Sequence, residues 1–261
     1  MAPRFSRPRL TTADDPQYRA FVRQIMIGKD NQRPMRPPRA RELFGAEAEA
    51  ALRDWLSQQM PLSDRRIVEY FEHRGRAAVK KYRELDAVAI PDTKSIQIFE
   101  IKASQKAGSI RRASQQLRDT RSILGMLYFR VYTTILLVDT GIPDAQEVAE
   151  LMASEDAPTY PPQTLNEVLE QPPHEQLADS LAARPTNPEV VSLLRFSVED
   201  IVALVGEENL HLNWDEEDEQ DDAEPPAEEQ PGFAYSTGES TPDDDDDNPL
   251  AAALRKAMGG K

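Results

Sequence analysis

The 261-residue chain contains no cysteine and only three histidines, His73, His174 and His211. The lack of cysteine excludes a disulfide framework, a thiolate metal site and cysteine catalysis. No two of the histidines lie at metal-ligand spacing. No apolar run approaches the roughly 20 residues needed to span a bilayer, and the N-terminal MAPRFSRPRL lacks the apolar core of a signal peptide. These absences predict a soluble cytoplasmic protein with no membrane segment.

Charge is distributed very unevenly along the chain. The net charge is −15, yet residues 1–130 carry 26 Lys and Arg against 15 Asp and Glu, which gives +11. Residues 131–261 carry a net charge of −26. A basic first half beside an acidic second half indicates a domain that binds a polyanion and an acidic tail.

Composition and periodicity divide the chain into five segments. Residues 1–38, rich in Arg and Pro, form a basic N-terminal arm with a helix near Pro16–Ile27. Residues 39–142 form the core, and residues 143–206 form a helical, proline-rich extension. Residues 207–247 carry 18 acidic and no basic side chains, which predicts a disordered linker. Residues 248–261 contain a short amphipathic helix that could dock on a protein partner.

The core pattern predicts a mixed α/β domain. Helical periodicity extends over Arg39–Met60 and again over residues 109–127, where Ile110, Ala113, Leu117, Leu124 and Leu127 mark an apolar face. Three strand-like segments, RIVEYFEHRG, YRELDAVAI and SIQIFEIKAS, lie between the helices, and VYTTILLVDT follows them. The order of helix, three strands, helix and strand predicts a mixed sheet.

Two charged residues interrupt the third strand, SIQIFEIKAS. Glu100 and Lys102 share one face of this strand because side chains alternate. If the preceding hairpin turns through Pro91–Lys94, Asp86 lies opposite residue 99 or 100 and meets Glu100 across the strands. Two opposed carboxylates repel unless something compensates. A divalent cation would compensate for this repulsion. Because the chain offers oxygen ligands and no suitably placed His or Cys, Mg²⁺ or Mn²⁺ is the expected ion.

These residues predict metal-assisted hydrolysis. The carboxylates would hold an ion that lowers the pKa of a bound water and polarises a phosphoryl oxygen. Lys102 would orient or activate that water and stabilise charge that develops in the transition state.

Asp86 in ELDAV and Glu100-Ile101-Lys102 in FEIKA resemble the signature of the PD-(D/E)xK nuclease superfamily, which has the restriction-endonuclease-like fold. The resemblance covers roughly residues 39–140. It implies a Mg²⁺-dependent phosphodiesterase with Asp86 and Glu100 as metal ligands and Lys102 as a catalytic residue. Leu85 stands before Asp86 where the motif has proline. The literal Pro91-Asp92 falls in the predicted turn, where the Asp92 carboxylate is too far along the hairpin to join Glu100 as a metal ligand.

The resemblance also implies a glutamate on the first core helix and a glutamine on the helix after the lysine. In GAEAEAAL we favour Glu49 as the third ligand because it shares a helix face with Leu52, and Glu47 is the alternative. Gln116 matches the glutamine better than Gln115 does.

Basic side chains near this motif favour a nucleic-acid substrate, because they neutralise phosphates without reading sequence. We expect DNA, although the sequence does not distinguish DNA from RNA. The candidates are Lys80, Lys81, Arg83, Arg111, Arg112, Arg118 and Arg121. The acidic tail has two interpretations: a mimic of nucleic-acid charge that restrains the nuclease, or a solvating tether for the terminal helix.

Three functions therefore remain open from the sequence. The first is a metal-dependent nuclease, acting in defence or repair. The second is a catalytically silent nucleic-acid-binding protein of the same fold, and the third is an assembly protein. The sequence leaves endo- against exonuclease cleavage, sequence preference and oligomeric state undecided.

Overall fold

The structure is a computed structural model that describes residues 4–30, 38–74, 77–154, 157–170, 175–182 and 189–213. His174, the acidic linker beyond residue 213 and the predicted helix near the C-terminus lie outside the described residues. In the part of the chain that is described, no helix is both long and apolar enough to cross a membrane.

Helices and strands alternate through the described chain. The helices are α1 (Pro16–Asp30), α2 (Ala40–Gln59), α3 (Gly108–Leu124), α4 (Ala145–Ala153), α5 (Leu165–Glu170) and α6 (Val198–Val205). The strands are β1 (Phe5–Thr11), β2 (Ile67–Arg74), β3 (Ala77–Glu84), β4 (Ala87–Asp92), β5 (Ser95–Ser104), β6 (Arg130–Asp139), β7 (Glu175–Leu177) and β8 (Val191–Ser197). A turn of 3-10 helix follows at Glu207–Asn209.

Five strands form a mixed sheet in the order β4-β5-β6-β8-β7. β4 and β5 are an antiparallel hairpin, whereas β5, β6, β8 and β7 run parallel to their neighbours. α3 connects β5 to β6, because parallel neighbours need a crossover connection. The predicted α/β class with a mixed sheet is confirmed.

β5 lies inside this sheet and is buried on both faces over most of its length. One face packs against α3 and the other against α2, as the alternation of apolar side chains requires. The α3 side includes Ile96, Ile98, Ile110 and Leu117, and the α2 side includes Phe44, Leu52, Phe99 and Ile101. Leu127, predicted on the apolar face of α3, lies beyond the end of that helix and is exposed.

A second, three-stranded antiparallel sheet has the order β1-β2-β3. The sequence predicts a basic arm ahead of α1, but part of that arm is the edge strand β1. Phe5 is buried and packs edge-on against Tyr70, with ring centroids 5.6 Å apart. Phe5 and the partly buried Leu10 supply apolar contacts that the high Arg and Pro content of the segment conceals.

The predicted strand YRELDAVAI is two strands that belong to different sheets. β3 ends two residues before Asp86, and β4 begins immediately after it. Leu85 N–H still donates to Arg66 O at 2.8 Å, beside β2, whereas Ala87 pairs with β5. The chain therefore changes sheets at Asp86, and four strands rather than three separate α2 from α3.

The predicted helical, proline-rich extension over 143–206 contains α4, α5 and α6, but β7 and β8 also lie within it. β8 pairs in parallel with β6 and so extends the central sheet. The helix predicted over Phe196–Val205 is α6, which begins two residues later. Ser197 is its N-cap as predicted, and its Oγ accepts a hydrogen bond from Asp200 N at 3.1 Å.

Candidate active site

Asp86 and Glu100 occupy facing positions where the chain changes sheets. Ala87 pairs with Phe99 in the antiparallel register, and one further step brings Asp86 opposite Glu100. Asp86 is 9% exposed and Glu100 is 2% exposed. Ile101 N–H donates to Asp86 Oδ2 at 2.6 Å, which fixes this carboxylate against β5.

Two further predicted residues contact Glu100. Lys102 Nζ lies 3.1 Å from Glu100 Oε1, as expected for side chains on one strand face. Gln116 Nε2 donates to Glu100 Oε2 at 3.4 Å from α3. Gln115, the alternative, instead donates to Asp119 at 3.1 Å on an exposed part of α3.

The two candidate glutamates of α2 point to different surroundings. Glu49 lies close enough to Asp86 for its charge to raise the pKa of Asp86. Glu47 turns away and accepts a hydrogen bond from His211 N at 2.8 Å. Residues two apart on a helix face different directions, so only Glu49 adds its charge to that of Asp86 and Glu100.

Burial and mutual repulsion dominate the electrostatics of these three carboxylates. Burial raises the pKa of Asp86 well above its usual value, and the charges of Glu100 and Glu49 raise it further. Burial also raises the pKa of Glu100, although Lys102 opposes this shift. The pKa of Glu49 is raised by burial, against the opposing charge of Arg66. The cluster therefore holds more negative charge than its surroundings neutralise.

The donor atoms suit a hard divalent cation, because carboxylate oxygens are the ligands that Mg²⁺ and Mn²⁺ prefer. Among the described residues, however, no three acidic or histidine side chains are grouped closely enough to hold a metal ion as they stand. Asp86 is hydrogen-bonded to the backbone of β5, and Glu100 to Lys102 and Gln116. The residues fit the ion in chemistry, and binding would require their side chains to converge.

Arg66 and Glu84 border the cluster and were not identified from the sequence. Arg66 Nη2 lies 2.7 Å from Glu84 Oε1, and both side chains are partly buried. Arg66 is the main charge that opposes the raised pKa of Glu49. The hairpin register pairs Ile67 with Glu84, so this ion pair could be inferred only once β2 and β3 were aligned.

The predicted phosphate-binding residues of β3 are engaged within the protein. Lys80 Nζ lies 3.1 Å from Glu69 Oε2, and Lys81 Nζ lies 3.0 Å from Glu72 Oε2. Arg83 donates from Nη1 to the carbonyl oxygen of Gln116 at 2.9 Å. Arg83 thereby ties β3 to α3 and helps to hold Gln116 near Glu100.

The predicted basic residues of α3 also have protein partners. Arg118 donates to Gln115 Oε1 at 2.9 Å, and Arg121 forms an ion pair with Glu189. Arg111 and Arg112 each make interactions within the protein as well. A polyanion would therefore have to compete for, or share, these cations.

The turn of the β4–β5 hairpin is shorter than predicted. Pro91 and Asp92 belong to β4, and the turn residues are Thr93 and Lys94. Asp92 Oδ1 accepts a hydrogen bond from Lys94 N at 2.7 Å at the exposed tip. The literal Pro-Asp of the sequence thus lies at the end of β4, beside the turn and far along the hairpin from Glu100.

Comparison of the chain with models of known protein families, with curated proteins and with solved structures gave no match.

Proposed function

We propose that the protein is a metal-dependent nuclease of the PD-(D/E)xK type that hydrolyses phosphodiester bonds in nucleic acid. One observation carries the proposal. Asp86 and Glu100 are buried opposite each other at a sheet edge, with Lys102 in contact with Glu100 and the charge of Glu49 nearby. A fold that only needed stability would gain little from placing two opposed, buried carboxylates near a third, with Lys102 and Arg66 compensating only in part.

Asp86, Glu100 and Glu49 would hold Mg²⁺ or Mn²⁺. When bound, such an ion supplies Lewis acidity toward a phosphoryl oxygen and lowers the pKa of a coordinated water. Gln116 orients the Glu100 carboxylate from α3. Lys102 carries a positive charge to the mouth of the cluster, where it stabilises negative charge on the phosphate oxygens.

Nucleic acid is the substrate that the charge distribution favours, and DNA is the first candidate to test. Residues 1–130 carry a net +11, and this half contains the acidic cluster, α3 and the strands of the smaller sheet. Basic residues supply affinity for the phosphate backbone without sequence specificity. A role in defence or repair is in keeping with such an activity.

A cleavage assay tests the proposal. Wild-type protein is incubated with linear, circular and single-stranded DNA and with RNA, in Mg²⁺ or Mn²⁺ and in EDTA. We expect cleavage that requires the metal and is lost in Asp86→Ala and Lys102→Ala. Activity that survives both substitutions would remove these residues from the active site.

The alternative is a catalytically silent nucleic-acid-binding or assembly protein of the same fold. Two observations favour it: the described carboxylates do not form a ready group of three, and the candidate cations have protein partners. This alternative predicts that the wild type cleaves none of the four substrates, with or without residues 206–261. It also predicts that Lys102→Ala keeps any nucleic-acid binding.

A further inference from the structure

A groove of about 860 Å³ lies on the α2 side of the central sheet, away from Glu100. Its walls are the C-terminal end of α2, α6, β8 and residues 179–182. Most of the lining is apolar, and the volume falls in the range of sites that bind small molecules. Every lining residue belongs to the described chain.

Gln97 of β5 supplies a polar group to this groove. The residue is only 6% exposed, and none of the hydrogen bonds among the described residues involves its carboxamide. Neither carboxamide atom is fully enclosed, so both are accessible from the groove. The amide therefore presents a donor and an acceptor to the groove, where water or a ligand can bond them. Gln97 points to the face opposite Glu100 because the two residues are three apart on one strand.

Aromatic side chains form another wall of the groove. Trp55 and Phe196 pack edge to face, with ring centroids 5.2 Å apart, and Met60 lies beside them. Flat rings and a polarisable thioether favour contact with a planar, aromatic ligand. A purely aliphatic ligand would use the apolar wall but would displace water from the Gln97 amide without replacing its hydrogen bonds.

The charges of the groove disfavour an anionic ligand. Arg195 is the one cation in the lining, and its Nη2 lies 2.6 Å from Asp139 Oδ2 in an ion pair. Asp179 and Asp200 add two carboxylates. A phosphate would therefore meet two negative groups and a cation that is already neutralised.

We propose that this groove binds an uncharged nucleobase-type heterocycle, as the free base or the nucleoside. A carboxamide offers one donor and one acceptor side by side, which matches the edge of a base such as adenine. The Gln97 amide would bond that edge while Trp55, Phe196 and Met60 contact the ring. This binding site does not depend on the proposed nuclease activity and uses none of its residues.

Fluorescence of Trp55 tests the proposal directly. The chain has two tryptophans, so the full-length Trp214→Phe protein reports on Trp55 alone. Adenosine, cytidine, guanosine and uridine are each titrated to about 5 mM, which detects even millimolar dissociation constants. We expect a saturable change with adenosine or another of the four. Adenosine 5′-monophosphate should bind about tenfold more weakly than adenosine because of the acidic lining.

Variants of Gln97 distinguish a specific site from weak stacking. Gln97→Leu has a similar size without the amide and should weaken binding about tenfold, or about 1.4 kcal/mol. Gln97→Glu keeps the shape but loses the donor and should weaken it as well, which covers the case that the leucine variant fails to fold. Gln146→Leu, on exposed α4, is the matched control and should bind like the parent. The proposal would be overturned if no nucleoside bound saturably, or if both Gln97 variants bound as tightly as the parent.

Discussion

The two sheets of the molecule both bury acidic side chains, but they treat them in opposite ways. In the three-stranded sheet, Glu69 and Glu72 of β2 are each 8% exposed. In the five-stranded sheet, Asp86 and Glu100 are buried to a similar degree. The difference lies in the partners that surround each pair.

Cations from both neighbouring strands pair with the glutamates of the smaller sheet. Glu69 Oε2 lies 2.7 Å from Arg9 of β1 and 3.1 Å from Lys80 of β3. Glu72 lies 3.0 Å from Lys81 and makes a longer contact with Arg4. Burial alone would raise the pKa of Glu69, but the hydrogen bonds from Arg9 and Lys80 outweigh it and hold that pKa below its usual value.

The larger sheet instead gathers like charges. Asp86 lies opposite Glu100 and close enough to Glu49 to be affected by its charge. All three carboxyl groups have raised pKa values. Lys102 compensates only in part. Glu69 and Asp86 have similarly low solvent exposure but opposite pKa shifts. This contrast indicates that the smaller sheet uses its paired acids for stability, whereas the larger sheet keeps an acidic cluster at some cost in stability.

The largest expected effect is on the cleavage rate, which should fall when acidic-cluster residues of the larger sheet are changed but not when a buried acid of the smaller sheet is changed. Asp86→Asn and Lys102→Ala should each lower the rate of nucleic-acid cleavage at least about a hundredfold. The first removes a carboxylate that would hold the metal ion, and the second removes the positive charge that would stabilise the reacting phosphate. Glu72→Gln removes a buried acid from the other sheet and should leave the rate within about twofold. Initial rates in Mg²⁺ measure all three. A similar loss in all three variants would break the distinction between the sheets.

A comparison of the two α2 glutamates, Glu49 and Glu47, tests which of them belongs to the acidic cluster. Glu49→Gln should reduce the cleavage rate about tenfold, the size typical of losing a supporting group at a metal site. Glu47→Gln, two residues away, should leave the rate unchanged because its partner is His211. Rates measured over a range of Mg²⁺ concentrations would show whether the Glu49 effect is recovered by excess metal. The reverse ranking of the two variants would exclude Glu49 from the cluster.

Stability without metal should change in opposite directions in the two sheets. Glu69→Gln removes hydrogen bonds to two cations and should lower the free energy of unfolding by about 1–3 kcal/mol. Asp86→Asn removes a repelling buried charge while its amide oxygen still accepts from Ile101 N, so we expect a gain of about 1 kcal/mol. Urea unfolding in EDTA measures both values. Destabilisation by Asp86→Asn would mean that the cluster is not strained.

The smallest expected effect is the response of the smaller sheet to acid. Arg9 pairs with both Glu69 and Asp15, and its hydrogen bond lowers the pKa of Asp15 to about 2. Folded-state pKa values below the unfolded ones give stability that is present above about 4.5 and is lost as the pH falls through the folded values. Arg9→Ala should therefore flatten the decrease in melting temperature between about pH 4.5 and pH 2.

Arg19→Ala is the matched control for this pH experiment. Arg19 forms an exposed ion pair with Asp14, and exposed pairs contribute little. Its pH profile should match that of the wild type. An unchanged slope in Arg9→Ala would assign the acid sensitivity to other groups.

Much of the central sheet could be predicted because its signals are local. The alternation in SIQIFEIKAS and the short turn before it place Glu100 and Lys102 on one face and Asp86 opposite. The helical period of α2 likewise separates Glu49 from Glu47. Strand period, hairpin register and helix period are enough to bring these residues together.

The rest depends on contacts between segments that are distant in sequence. β1 has the composition of a basic arm and becomes a strand because it pairs with β2 while Phe5 packs on Tyr70. The change of sheet at Asp86 could not be predicted from ELDAV, because the alternation of apolar residues continues through this segment. The pairing of the β3 lysines with Glu69 and Glu72 follows from the β2–β3 register, so their exposure to a polyanion was overestimated.

Calorimetric titration of Mg²⁺ into metal-free protein tests the contrast between the sheets most directly. We expect the wild type and Glu69→Gln to bind the ion with similar affinity, and Asp86→Asn to bind it at least about tenfold more weakly. Binding should also raise the melting temperature of the wild type, because the ion offsets the repulsion between the carboxylates. Equal Mg²⁺ affinity in Asp86→Asn and the wild type, or no binding by either, would contradict the assignment of this cluster as a cation site.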